Sequence, residues 1–232
     1  MGGNSSRKIK YSRSGTQRTL PSLAGQPSQE RQSSRTAHRI LLERAASVSK
    51  PLASAIREVG PVTLRRRESK GLAHFLSRAI VGQQLSAGAA RSIWDRITVT
   101  AKGHGLSIPQ CAEEFGDTLR SCGLSASKLK SLKNISRAEK EGRLSDDVLL
   151  SVGPEERLRR LMAIWGIGPW TCDMVLIFYY QLPDVWPEGD VAVQRTFSGL
   201  IGRRAPTRTA LRFSPYRSYL ALTMWRIVDG RR

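Results

Sequence analysis

The residues best suited to chemistry lie between Leu161 and Asp190. The run Leu161-Met162-Ala163-Ile164-Trp165-Gly166-Ile167-Gly168-Pro169-Trp170-Thr171 carries one helical segment into Gly-Ile-Gly-Pro and out into a second. Two glycines let a backbone turn tightly or left-handed with no side chain between it and a ligand, and Pro169 suits the first turn of the following helix. Backbone N–H groups at that helix start, with the positive end of its dipole, then face outward and can hold an anion such as a phosphate. An ordinary two-helix corner uses glycine in the same way, so the run alone leaves both readings open. Asp190, between Pro187-Glu188-Gly189 and Val191-Ala192-Val193-Gln194-Arg195, also reads in two ways. An Asp at that place caps a helix; its carboxylate can also orient or deprotonate a water and stabilise developing positive charge. Glu188 and Asp184 are the weaker carboxylate candidates nearby.

The 232 residues carry 38 Lys and Arg against 19 Asp and Glu, a formal net charge of +19. A surface of that sign attracts polyanions, and nucleic acid is the obvious partner. A ribosomal-type protein, or a chain whose charge sits in a floppy tail, would show the same sign, so charge identifies no reaction. Cys111, Cys122 and Cys172 are odd in number and widely separated, which suggests neither a disulfide framework nor a zinc knuckle and fits a reducing compartment. The most apolar stretch, Met174 to Tyr180, falls far short of the roughly 18 residues that cross a bilayer. A soluble protein with no membrane partner is the expectation.

Residues 1–35 are rich in Ser, Arg, Gln and Gly and poor in apolar residues, so burial there cannot offset ordering entropy. They read as a disordered basic tail: a nonspecific DNA-binding extension, an inert leader or a targeting segment. Met1-Gly2-Gly3-Asn4-Ser5-Ser6 formally matches an N-myristoylation pattern, a match short enough to arise by chance. Beyond the tail, residues 36–232 read as one all-α domain. Leu72, Phe75, Leu76, Ala79 and Ile80 form one apolar stripe, and Ala90, Ile93, Trp94 and Ile97 a second after a break near Gly82. Further helices are expected over Thr36–Val59, Ala126–Lys140, Glu155–Ile164, Trp170–Tyr180, Ala192–Leu200 and Tyr216–Val228, with Gly and Pro at most joints.

The Ile-x-Gly-Ile-Gly-Pro-Trp-Thr run, followed about twenty residues on by Trp186-Pro187-Glu188-Gly189-Asp190, resembles the hairpin and catalytic-aspartate segment of helix-hairpin-helix DNA glycosylases. Within that superfamily it is most similar to the 3-methyladenine DNA glycosylase II branch. Arg78-Ala79-Ile80-Val81-Gly82-Gln83-Gln84-Leu85-Ser86 resembles the family's Gln-Gln helix junction. Gly123-Leu124-Ser125 before Lys128, and Pro215-Tyr216-Arg217-Ser218 ahead of Trp225, resemble two more landmarks in the expected order. The four landmarks span about Leu41 to Trp225, far more specific than any one motif.

The resemblance implies two helical subdomains with the active-site cleft between them, a hairpin motif over about residues 155–181, and an enzyme that flips a damaged base out of double-stranded DNA. It makes Asp190 the catalytic carboxylate, Gly166, Ile167, Gly168 and Thr171 the grip on the DNA backbone, and Gln84, Leu85 and Ser86 the candidates for the wedge that fills the hole. A simple helix kink remains the other reading of that junction. Trp170 and Trp225 match the family's aromatic pocket positions, where indoles stack on a cationic alkylpurine, though either could equally be core. By resemblance, the backbone carbonyls of Met162, Ile164 and Ile167 hold a monovalent cation, with no catalytic metal or other cofactor. Three scattered cysteines cannot build the iron–sulfur cluster of some relatives. Bifunctional relatives place a Schiff-base lysine where Trp170 stands, which implies a monofunctional enzyme that leaves an intact abasic site. Phe213 and Ser214 stand where close relatives often have Trp and Arg, and Met174 where an aromatic is sometimes found, so pocket shape stays open. The expected substrates are 3-methyladenine and 7-methylguanine, released by a monomer working with the DNA inside the cell. A glycosylase for uracil or a mismatched base, or a noncatalytic DNA-binding module, are the alternatives.

Overall fold

Ser34, Ala37, Leu41 and Ala45 recur on one helical face, and all four are buried in the first helix of the computed structural model, α1 (Pro27–Ala46). The structure describes residues 27–65 and 70–230; most of the basic N-terminal segment, with its candidate acylation motif, lies outside the described residues. α1 starts nine residues before the expected Thr36, because Gln, Glu and Arg are good helix formers and the Ser34 hydroxyl donates to the Val62 carbonyl at 2.7 Å. Thr36–Val59, expected as one helix, is two. α2 (Lys50–Val59) restarts at Ser49, whose hydroxyl accepts from Leu52 N–H, with Pro51 in its first turn.

The next helices are α3 (Leu72–Gly82), α4 (Ala87–Gly103), α5 (Ile108–Glu114), α6 (Gly116–Ser121) and α7 (Ala126–Lys140). Serine hydroxyls at Ser86, Ser107 and Ser125 cap α4, α5 and α7, each such cap contributing about 1 kcal/mol. α8 (Asp146–Leu150) leads to the hairpin helices α9 (Pro154–Met162) and α10 (Pro169–Met174). The chain closes with α11 (Val191–Ile201), α12 (Pro206–Ala210), a 3₁₀ turn at Leu211–Phe213, and α13 (Arg217–Gly230). The short helices α5, α6, α8 and α12 are too brief to show a periodic stripe, and sequence periodicity passes over them. No strand occurs among the described residues.

The expected helix over Trp170–Tyr180 changes character midway: Val175–Tyr179 is a π-helical turn. The wider turn shifts the register by one residue, so consecutive aromatics serve three places. Phe178 packs on Trp225, Tyr179 lies against Phe75, and the Tyr179 and Tyr180 hydroxyls both donate to Asp146 at 3.0 and 3.1 Å. Such turns are often found at functional sites.

Two helical groups result. α3 to α7 pack on one another, while α1 and α2 pack against α11 and α13, so both ends of the described chain build the second group. The Ser49 hydroxyl donates to Leu200 O at 2.7 Å, fastening the start of α2 to α11. α10 and the π-turn touch α3 and reach the second group through Trp170 against Asp190 and Phe178 against Trp225.

Candidate active site

Asp190 stands at the N-terminus of α11 with its backbone extended (φ −84°, ψ 108°). One carboxylate oxygen, Oδ1, accepts the Val193 N–H at 2.9 Å, and the other, Oδ2, accepts the indole N–H of Trp170 at 2.9 Å. The residue is only 8% exposed, and what remains open lines a cleft of about 820 Å³. Capping the helix therefore does not close this carboxylate off from the cleft. The cap fixes the carboxylate's place, and the bond from α10 fixes its direction.

The cleft has two walls. On one side stand Trp170 and Met174 of α10, Phe178 of the π-turn, and Leu222, Trp225, Arg226 and Asp229 of α13. Trp225 and Phe178 are tilted at 36° with centroids 5.5 Å apart, forming an aromatic floor. On the other side α3 contributes His74, Arg78 and Gly82, spaced i, i+4 and i+8, and α4 contributes Ala90, Arg91 and Trp94. The His74 ring meets Trp94 edge-to-face at 5.3 Å and 82°, and the Arg78 guanidinium lies 5.5 Å from the Trp94 ring centre. Burial first, then the charges of Lys70 and Arg78, hold the His74 imidazole below its ordinary value. Sequence reasoning treated Trp94 as core and left His74 outside every motif. The signal present was the polar stripe His74–Arg78 running beside the apolar stripe of the same helix.

Asp173 was also missed. It sits one turn beyond Trp170 on α10, is 7% exposed, and its carboxyl is pushed up to about 7. Burial is the larger cause, and the negative charges of Glu188 and Asp190 add to it. A lone acid inside an apolar run was the sequence signal. The neighbouring Cys172 thiol is pushed up to about 12, mainly by burial and then by Asp173, which makes it inert. The two other carboxylates play different parts. Glu188 lines a shallow groove on the outer side of α11, and Asp184 is held by Arg217 and Ser214 at 2.7 Å each. Burial alone would raise Asp184; the hydrogen bonds from Arg217 and Ser214 outweigh it and keep the carboxyl below its ordinary range.

In the hairpin the two glycines differ. Gly166 is left-handed (φ +93°), and a Cβ there would overlap the Ser131 side chain of α7, with the Ser131 Cβ only 2.7 Å away. Gly168 has an ordinary φ of −100°, so the tight-turn reason for it does not hold. Open space lies where its Cβ would stand, and the bare backbone is left accessible. The Ile167 side chain is buried, its N–H bonded to Ile164 O at 3.0 Å. Thr171 is buried too, its hydroxyl accepting from Gln83 Nε2 at 2.9 Å, so only its backbone can meet an anion. Trp165 at the hairpin tip is 44% exposed, with the Lys130 ammonium 4.3 Å above its ring.

The α3–α4 junction is built firmly. Lys128 Nζ donates to Val81 O at 2.8 Å and Gln83 O at 2.9 Å, capping α3, and Gln83 reaches α10 through Thr171. Gln84 is left-handed (φ +56°) and exposed, and Leu85 is 38% exposed, large for an apolar residue at a helix break. The Ser86 hydroxyl is occupied as the α4 cap, accepting from Ala89 N–H at 3.3 Å. Among the described residues no group of three or more His, Cys, Asp or Glu is placed to hold a metal ion. Of the three hairpin carbonyls, that of Ile164 accepts the Ile167 N–H, while no backbone bond outside the helices engages those of Met162 and Ile167 among the described residues.

No family model matches the chain. The chain is 31% identical over 170 residues to DNA-3-methyladenine glycosylase 1 of Schizosaccharomyces pombe, which covers 70% of this chain and 75% of the relative. It is 26% identical over 191 residues to the alkylbase DNA glycosidase-like protein mag2 of the same yeast, covering 78% of this chain and 90% of that one. Its fold is similar to the structure of the S. pombe 3-methyladenine DNA glycosylase in complex with abasic DNA, with a TM-score of 0.70, 26% identity, and coverage of 84% of this chain and 97% of the other.

Proposed function

The chain belongs to the helix-hairpin-helix 3-methyladenine DNA glycosylase family, and on that basis we propose that it is a monofunctional glycosylase of base excision repair. It extrudes alkylated purines, 3-methyladenine and 7-methylguanine, from double-stranded DNA and hydrolyses the N-glycosidic bond. The observation that carries this reading is the Asp190 carboxylate, held by Val193 and Trp170 at 2.9 Å each and lining an aromatic cleft. As the bond between C1′ and the base breaks, its electrons leave with the base and the sugar becomes oxocarbenium-like. Asp190 stabilises that charge and takes the proton of the water whose oxygen bonds C1′. An alkylpurine already carries positive charge and leaves as a neutral base, so no strong acid is required. Trp170 and Trp225 supply indole faces for such a cation. An indole at position 170 forms no Schiff base, so the abasic product stays intact.

The remaining parts of the enzyme follow from the same reading. The backbone of Gly166, Gly168 and Thr171 grips a phosphate, with Ile167 between the glycines holding the turn through its bond to Ile164, and Leu85 with Gln84 fills the place of the extruded base, while Ser86 shapes the loop as a cap. Neutral carbonyl oxygens suit a hard monovalent cation, and those of Met162, Ile164 and Ile167 would hold one that draws a phosphate to the hairpin. Residues 36–232 constitute the catalytic domain, extended backward by the start of α1, and residues before it form a basic tail. The protein works as a monomer, with the DNA in nucleoid or nucleus.

The test is single-turnover release from duplexes carrying 3-methyladenine, 7-methylguanine or uracil, comparing the wild type with Asp190→Asn at fixed salt. Alkylpurine release leaving alkali-labile sites, lost in Asp190→Asn while DNA binding persists, is expected. Release of uracil alone would move the enzyme to another branch, and tight binding without any release would make it a noncatalytic module.

A further inference from the structure

The hairpin tip carries a pair of side chains that the cleft does not use. Trp165 is 44% exposed and is the only exposed Trp, Tyr or Phe among the described residues. The ammonium of Lys130, on α7, stands 4.3 Å from the centre of its ring. Two other lysines of α7 are engaged elsewhere: Lys140 pairs with Glu113, and Lys128 donates to the Val81 and Gln83 carbonyls. No carboxylate pairs with Lys130 among the described residues. A ring face covers one side of an ammonium and supplies no oxygen, so the N–H groups turned to solvent keep their capacity for an anion. Position makes that anion a DNA phosphate. Trp165 immediately precedes Gly166, where a Cβ would overlap Ser131, the residue after Lys130, so α7 lies directly against the turn. From Trp165 to the open backbone of Gly168 is at most about 11 Å of chain, the rise of about three nucleotides of one strand. The start of α7 also reaches the wedge junction through Lys128. A strand held at the hairpin and opened at the junction therefore runs within reach of Lys130.

We propose that Lys130 holds a second phosphate of the DNA strand gripped by the hairpin, and that Trp165 is the residue that positions its ammonium. The inference rests on the DNA-binding part of the reading above and adds a side-chain contact outside the hairpin backbone. A free lysine loses rotamer freedom when it settles on a phosphate. A stem already laid over an indole has less to lose, so the contact is preorganised before DNA arrives. The phosphate contact supplies affinity that falls with salt, while the indole supplies no charge of its own and acts through Lys130.

The experiment titrates a duplex carrying a tetrahydrofuran abasic analogue with the whole chain and follows anisotropy from about 50 to 200 mM NaCl. Lys130→Gln should lower the steepness of log affinity against log salt by about 0.9, the share of one phosphate, and Lys130→Arg should restore it. Trp165→Leu keeps the charge, so the steepness stays near the wild-type value while affinity falls about threefold, the size of an exposed cation–π contact. Added to Lys130→Gln, Trp165→Leu should cost nothing further. Both side chains are exposed, so melting temperatures within about 2 °C of the wild type certify folding, and Trp165→Gln decides if the Leu variant fails that check. An unchanged salt dependence in Lys130→Gln overturns the phosphate contact, and an additive loss in the double variant overturns the positioning by Trp165; both leave the glycosylase reading standing. A wild type that binds no duplex overturns both readings, whereas absence of alkylpurine release with the salt effect intact overturns the glycosylase reading alone.

Discussion

Replacing Asp173 by Asn removes a carboxyl that the fold buries beside two other acids. Its folded value lies near 7 against an ordinary 3.8, about 3 units, and each unit corresponds to about 1.36 kcal/mol. The folded state therefore binds the Asp173 proton more tightly than the unfolded chain does. Between about pH 4 and pH 7 the folded form carries more protons, so wild-type stability falls as pH rises through that window and levels off above it. The full cost approaches about 4 kcal/mol as a ceiling. Asn has nearly the same shape and no charge, so it escapes this loss, although its buried amide carries a fixed cost of about 1–3 kcal/mol where it finds no partner. That cost does not depend on pH, and the signature is thus the slope. Urea unfolding at pH 5, 6, 7 and 8 should show the stability difference, variant minus wild type, rising by about 2–4 kcal/mol between pH 5 and 8. Contributions from other titrating groups are common to both proteins and largely cancel in the difference. A difference constant to within about 0.5 kcal/mol across that range would refute the reasoning, since it would mean that Asp173 is as well solvated folded as unfolded.

Trp170→Phe keeps an aromatic wall but removes the 2.9 Å bond to Asp190, and single-turnover alkylpurine release should fall about tenfold, equivalent to about 1.4 kcal/mol of barrier. Gly166→Ala should destabilise the fold by about 2–3 kcal/mol through left-handed strain and overlap with Ser131, lowering the melting temperature by about 4–12 °C. Gly168→Ala, with open space for the methyl, should leave the melting temperature within about 2 °C and instead weaken duplex binding, measured by anisotropy titration. Lys128→Met leaves the Val81 and Gln83 carbonyls without their ammonium donor and should cost about 1–3 kcal/mol in urea unfolding.

The all-α class, the apolar stripes of α3 and α4, the hairpin and the place of Asp190 at a helix start were legible because each rests on local spacing: helical period, glycine between two helices, an acid just before a helix. The start of α1 was not, because Ser34 matters only through Val62, 28 residues away. The break before α2 was written locally in Ser49 and Pro51, yet the continuous apolar pattern of the flanking residues concealed it. Periodicity also concealed the π-turn, since every residue from Thr171 to Tyr180 is buried and no polar face marks the register.

By itself the sequence determined the all-α class and the longer helices, the excess of positive charge, and the order of the landmarks from the Gln-Gln junction to Trp225, which are read along the chain. The tertiary structure alone decided which side chains share the cleft. His74 and Trp94 of the first helical group come to face Trp170, Asp190 and Trp225 because α10 and the π-turn pack on α3 while α1 and α2 hold α11 and α13 from behind. It also decided that Asp173 lies within reach of the charges on Glu188 and Asp190. Burial and electrostatic fields depend on distance through space, and a cleft between two helical groups brings together residues more than a hundred positions apart in the chain.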